Sequence, residues 1–139
     1  GEVASRESAE AVFCEIKRAR EQEVWADEWA SQRIVERAVQ AATYFVYGMA
    51  ELQVDSIGMG TTLSALVRVE RTLISAQVGD SRIYRVRDGE LRLLTEDHTL
   101  VNWQLKNGII TGEQAKNSRH KNVITRAVGH REGGSAVRS

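Results

Sequence analysis

Along the first 54 residues the apolar positions recur every three to four residues. Val12, Phe13, Ile16 and Ala19 share one helical face, and Ser5 or Ser8 is placed to cap the first turn. The charged run Arg20-Glu21-Gln22-Glu23 interrupts the pattern. Asp27 or Ser31 then opens a second helix with the stripe Ile34, Ala38, Ala41, Phe45, Met49 and Leu52. From Ser31 to Val54 that helix spans roughly 36 Å at the usual rise per residue. Its alanines suit close packing against a sheet or another helix.

After Gly58 the period drops to two. Thr61, Leu63, Ala65, Val67 and Val69 fall on one side of a strand, with Thr62, Ser64 and Arg68 on the other. Glu70-Arg71 turns the chain. Leu73 to Val78 and Arg82 to Arg87 read as the next two strands. Asp88-Gly89 reads as a hairpin turn with positive φ at both residues, and Leu91, Leu93 and Leu94 lie on the returning strand. A four-stranded antiparallel meander is expected. Leu100 to Asn107 is a helical stretch stopped by Gly108, and Thr111 with Gln114 forms a capping box for another short one. Asn117 to Lys121 is polar and reads as a mobile loop. Val123-Ile124-Thr125 reads as a further strand. The Gly- and Ser-rich residues 130–139 read as a disordered tail, which leaves 1–129 as one domain.

Composition narrows the classes. A chain of 139 residues fits one domain and can bury about two-thirds of its unfolded surface. Nineteen basic and nineteen acidic residues balance, so no overall field draws nucleic acid or an anionic membrane. No apolar run approaches the ~20 residues of a membrane span, and the first residues carry no signal-peptide pattern. A cytoplasmic protein is the expectation. Cys14 is the only cysteine; among Val12, Phe13 and Ile16 it reads as a small core residue. Trp25, Trp29 and Trp103 read as packing residues. Proline is absent, and no function attaches to that.

The candidate chemistry gathers at Gly79-Asp80-Ser81-Arg82, where an apolar strand ends in a carboxylate. Asp80 reads either as a turn residue bonded to its own backbone or as a ligand aimed at a metal. Asp97-His98 reads as an anchor and cap for the following helix rather than as a general-base pair. Arg82, Arg85, Arg87 and Arg92 lack interleaved aromatics and read as a solvated face rather than a nucleic-acid strip. His120, between Arg119 and Lys121, reads as part of a solvated loop.

Five motifs in order carry a resemblance: Gly58-Met59-Gly60-Thr61-Thr62, Val78-Gly79-Asp80-Ser81-Arg82-Ile83-Tyr84, Asp88-Gly89-Glu90-Leu91 with Leu94-Thr95-Glu96-Asp97-His98-Thr99-Leu100, Gly108-Ile109-Ile110-Thr111, and Asn122-Val123-Ile124-Thr125-Arg126-Ala127-Val128-Gly129. They resemble the metal-dependent protein serine/threonine phosphatases of type 2C in their bacterial form, and Gly1-Glu2-Val3-Ala4-Ser5 resembles the start of that family's first long helix. The resemblance implies an α+β fold, a partial α-β-β-α sandwich. Its order is two long helices, an antiparallel meander, short flap helices and a further strand.

It also implies hydrolysis of phosphoserine and phosphothreonine esters with two Mg²⁺ or Mn²⁺ ions, on a phosphoprotein substrate. Of the family's metal positions only Asp80 is matched, as a contact to a third, weakly held ion. The N-terminal acidic motif, Asp-Gly-Met-Gly-Gly, Ser-Asp-Gly and Asp-Asn do not occur in the chain, and Ile57 stands where an Asp would precede Gly58-Met59-Gly60. The family's His-Pro pair is replaced by Ser118-Arg119, so no role passes to His120. The expectation is the middle of a phosphatase domain with little or no activity by itself and no catalytic residue of its own to name. A non-catalytic, phosphatase-like protein-binding module is the alternative. Open strand edges imply a homo-oligomer.

Overall fold

A computed structural model of the chain describes residues 2–53, 58–129 and 136–138. Helix α1 runs over Glu2–Gln22 and α2 over Glu28–Leu52, and the two pack along each other. Asp27 is the N-cap of α2; its carboxylate accepts from the Ala30 N–H at 2.7 Å. Strand β1 (Leu63–Val69) pairs antiparallel with β2 (Thr72–Val78) across the Glu70-Arg71 turn. Strand β3 (Tyr84–Arg87) pairs with β4 (Glu90–Leu93). Helices α3 (Leu100–Lys106) and α4 (Gly112–Lys116) follow, and α4 carries the expected Thr111–Gln114 capping box.

The core lies between α2 and β2. Val35, Val39, Ala42 and Val46 of α2 meet Ile74, Ala76 and Val78 of β2, with Val12 of α1 and Val128 joining them. Leu63, Ala65, Val67 and Val69 line the same side, so the alternation in β1 is as the sequence implies. The expected α2 stripe is rotated. Ile34 and Ala38 are buried, but Phe45 and Leu52 are exposed and the sheet-facing line runs through the small residues Val35 to Ala50. Small side chains let α2 lie close to β2, and the large ones are left outside. Buried Ser8 and Thr43 donate to the carbonyls of Ala4 and Val39, which satisfies their hydroxyls within the helix.

Cys14 is exposed, not a core residue, and so is its neighbour Phe13, 69% exposed. Cys14 lines a shallow groove between the two helices with Ala11, Ala41 and Phe45. Trp29 and Trp103 are also exposed. Only Trp25 packs on the core, with its indole N–H donated to the Ala19 carbonyl at 3.2 Å.

The expected four-stranded meander is divided into two sheets: β1, β2 and a short β5 (Ala136–Arg138) in one, β3 and β4 in the other. The division occurs at Gly79. Its φ is +100°, and a Cβ there would stand 2.5 Å from Thr62 Cγ2. The chain leaves the sheet at this point, and the hairpin that follows closes as expected, with φ +53° at Asp88 and +79° at Gly89. Val123-Ile124-Thr125 is no strand; it makes one bridge, Ile124 to Thr99. In the tail expected to be disordered, Ala136–Arg138 pairs with Ser75–Gln77, because the far edge of β2 offers unpaired backbone groups. The rest of that tail, and Val54 and Ile57, lie outside the described residues. Among the described residues no helix is long and apolar enough to cross a membrane.

Gly79 therefore carries both a backbone angle and a contact that no other residue satisfies. Gly79→Ala is expected to destabilise the chain by about 3 kcal/mol, from strain and overlap together. Gly89→Ala, where a Cβ meets nothing within 4 Å, is expected to cost about 1 kcal/mol. Urea unfolding of both variants checks the order; equal costs would remove the role given to the Thr62 contact.

Candidate functional site

Asp80 sits at the turn where β2 hands over to β3, and almost every neighbour in that turn is tied down. The Gly79 N–H donates to Nδ1 of His98 at 3.1 Å, and the His98 N–H donates to the Gly79 carbonyl at 2.9 Å. Ser81 Oγ donates to Thr62 Oγ1 at 2.9 Å, and the Ile83 N–H donates to Thr95 Oγ1 at 3.1 Å. Arg82 forms a forked pair with Asp97, Nε to Oδ1 at 2.9 Å and Nη2 to Oδ2 at 2.6 Å. Two parallel bonds of this kind hold orientation as well as charge. The Arg82 pKa is pushed up, first by the bond to Asp97 and then by one to Tyr84.

The segment that supplies these partners is fixed from α3. Thr99 caps the helix by accepting from the Asn102 N–H, and Asn102 Nδ2 donates to the Asp97 carbonyl at 2.9 Å. Glu96 meets Lys106 Nζ at 2.6 Å. The Asp97-His98 pair thus anchors, as the sequence implies, while the capping oxygen belongs to Thr99. Behind it, the Thr125 N–H donates to the His98 carbonyl at 2.8 Å and Thr61 exchanges two backbone bonds with Val128.

The Asp80 carboxylate itself is exposed and, among the described residues, engaged by no hydrogen bond or ion pair. The turn-residue alternative has no bond to support it. Asp80 lines a cleft of about 410 Å³ together with Arg82, Asp97, Asn102 and Lys121. Among the described residues no three His, Cys, Asp or Glu side chains gather where they could hold a metal. Asp97 is committed to Arg82, which leaves one free carboxylate. That fits a peripheral divalent ion. It does not fit a two-ion centre, where the repulsion of adjacent dications must be offset by several anionic ligands.

His120 does not line this cleft, although Lys121 beside it does; its N–H donates to Ser118 Oγ. Three of the four arginines share one side of the hairpin with Glu90, and Arg82 is apart from them. Arg82 faces Asp97, while Arg85 stands across from Arg92 and Arg87 across from Glu90 on the hairpin. Thr62, Thr95 and Asn102 were not singled out by sequence. Short hydroxyl and amide side chains have no periodicity that marks them as partners of a distant turn.

A family model for protein phosphatase 2C matches residues 1–124. The chain belongs to the protein phosphatase 2C family. It is 43% identical over 91 residues to a putative protein phosphatase 2C-type of Streptococcus pyogenes, covering 66% of this chain and 37% of that protein. It is 41% identical over 93 residues to the serine/threonine phosphatase stp of Listeria monocytogenes, covering 67% and 37%. Among solved structures, the serine/threonine phosphatase PstP/Ppp of Mycobacterium tuberculosis superposes with a TM-score of 0.73 at 31% identity, covering 99% of this chain and 58% of that one. The catalytic domain of PstP in complex with two manganese ions gives 0.72 at 32% identity, covering 99% and 54%. The match thus spans 37% of the length of these two curated relatives.

His98 makes the site sensitive to acid. Burial pushes its pKa down, the Arg126 charge adds to that, and Glu96 and Asp97 oppose it. A proton on Nδ1 also removes the acceptor for the Gly79 N–H. Between the lowered folded pKa and the ordinary value of about 6.5 the unfolded chain binds more protons. Stability is therefore complete above about pH 6.5 and falls as the pH drops through the folded value. His98→Asn, which keeps an acceptor oxygen near Nδ1 without titrating there, is expected to flatten the slope between pH 7 and 5. Urea midpoints across that range check it, and identical slopes in the two proteins would remove His98 from the account.

Proposed function

We propose that this chain is the central part of a Mg²⁺- or Mn²⁺-dependent phosphatase domain acting on phosphoserine and phosphothreonine in proteins. In that role it supplies the helix-backed sheet and the peripheral metal position Asp80. The observation that carries the reading is the Gly79-to-Ile83 turn, in which the flanking residues are held and one carboxylate is left free. When bound, the two ions of such a domain supply an activated water and a polarised phosphoryl group. This chain's own residues hold the turn on either side of Asp80, and among the described residues no three potential ligands gather, so the chain by itself is inactive or nearly so. Its setting is the cytoplasm, with a phosphoprotein as partner and no nucleic acid.

The test is hydrolysis of a phosphothreonine peptide with excess Mn²⁺. The expected result is no metal-dependent turnover above that of Asp80→Ala. Robust turnover that Asp80→Ala abolishes would overturn the inactivity.

A second reading, a non-catalytic protein-binding module, draws on the β3–β4 hairpin. The register puts Tyr84 across from Leu93 and Val86 across from Leu91 on one side. All four are exposed, Val86 at 71% and Leu91 at 67%. A two-stranded hairpin is marginal by itself, and an uncovered apolar side favours association. Coding sequence on both sides of the chain for Asp-Gly-Met-Gly-Gly and Ser-Asp-Gly would exclude this module. The same surface and the open edges support self-association of the chain into a dimer or larger. Light scattering is expected to show it, and Val86→Lys with Leu91→Lys to weaken it; a stable monomer at high concentration would remove the proposal.

A further inference from the structure

We propose that Asp97 is a positioning residue that keeps the Asp80 carboxylate available by holding the Arg82 guanidinium away from it. The proposal rests on the reading of Asp80 as a metal position. Asp80 and Arg82 are two residues apart in one turn, and both line the same cleft. An arginine so placed is a ready partner for the carboxylate, and pairing would cancel the charge a cation needs. In the structure Arg82 is instead taken by both oxygens of Asp97.

Asp97 is suited to that task because it cannot follow Arg82 outward. Its side chain is 20% exposed against 50% for Arg82. Its carbonyl is held by Asn102 from α3, and the next residue, His98, is bonded to Gly79 on both sides of the peptide. The formal charges lining the cleft are Asp80 and Asp97 against Arg82 and Lys121, so they balance. Losing the Asp97 charge leaves one excess positive charge beside Asp80 as well as a freed guanidinium. Removing Arg82 along with Asp97 restores the balance and removes the competitor.

The experiment uses the ¹⁵N-labelled chain with Mn²⁺ as the probe. Paramagnetic broadening of the Asp80 and Ser81 amide signals reports the ion, and Asp80→Asn is the control that should abolish it. Asp97→Asn is expected to raise the Mn²⁺ concentration for half-broadening roughly fivefold. Arg82→Gln with Asp97→Asn is expected to return it to the wild-type value, and Arg82→Gln alone to lower it. A merely structural role for Asp97 predicts no such rescue, and a double variant as weak as Asp97→Asn would overturn the proposal.

A metal-free readout separates the two readings. The Arg82 Nε–H signal should respond to Asp80→Asn in the Asp97→Asn background and not in the wild type. No response there overturns the proposal whatever Mn²⁺ does. Absent broadening at Asp80 in the wild type, with the Arg82 response present, sinks the metal position and leaves Asp97's hold on Arg82 standing. If Asp97→Asn unfolds the chain, Arg82→Gln alone decides: unchanged or weaker Mn²⁺ binding overturns the proposal.

Discussion

Gly79 and His98 exchange two hydrogen bonds, one through the imidazole and one through the backbone, and most of the cleft depends on that exchange. It ends the ladder of β2 at the residue before Asp80. It fixes the Thr95–Thr99 segment beside the turn, so that Thr95 reaches Ile83 and Asp97 reaches Arg82. It also needs a residue with no Cβ at position 79, since Thr62 fills the space where one would stand. A neutral imidazole is required at the other end. One glycine, one histidine and one threonine therefore decide where the sheet stops and where the carboxylate begins.

The helices matter to this turn through β2. The Val35-to-Val46 line of α2 packs on Ile74, Ala76 and Val78, and burial of such side chains contributes about 1.5–3 kcal/mol each. That packing sets the height and direction of the strand whose end carries Asp80. Thr61 and Val128 close the same side with two backbone bonds, next to Gly129, where a Cβ would overlap the Met59 carbonyl. The core thus reaches the cleft through backbone rather than through charged side chains.

The sequence made local features legible wherever one residue type has one physical use. Asp88-Gly89 gave the hairpin turn, Thr111 and Gln114 gave the capping box, and alternation gave the buried side of β1. Ordered motifs marked the family. What stayed hidden was set by packing between distant segments. The expected α2 stripe holds at Ile34 and Ala38 but not at Phe45 and Leu52, because close approach to β2 selects the line of Val35, Val39, Ala42 and Val46 instead. The sequence implies a continuous meander because nothing in Ile83-Tyr84-Arg85-Val86 signals that Gly79 has already turned the chain out of the sheet. Asp97's partner was equally invisible, fifteen residues away on another segment.

These two kinds of information divide the chemistry of the cleft. A motif marks a carboxylate as a candidate ligand; it does not say whether that carboxylate is free in this chain. Freedom is a balance among charges that share a small space. Here Arg82 has a choice between an exposed neighbour at Asp80 and a less exposed one at Asp97, whose backbone carbonyl is bonded to Asn102. The fork of two bonds to Asp97 wins because Asp97 is already ordered by α3 and loses little further entropy on pairing. A carboxylate is thus left open not by being placed far from cations but by giving the nearest cation a better-organised partner. The same reasoning explains how Asp80 stays open although, among the described residues, no three potential metal ligands gather. Its geometry is held by Gly79, Thr95, Asp97 and His98, and none of those bonds requires a metal.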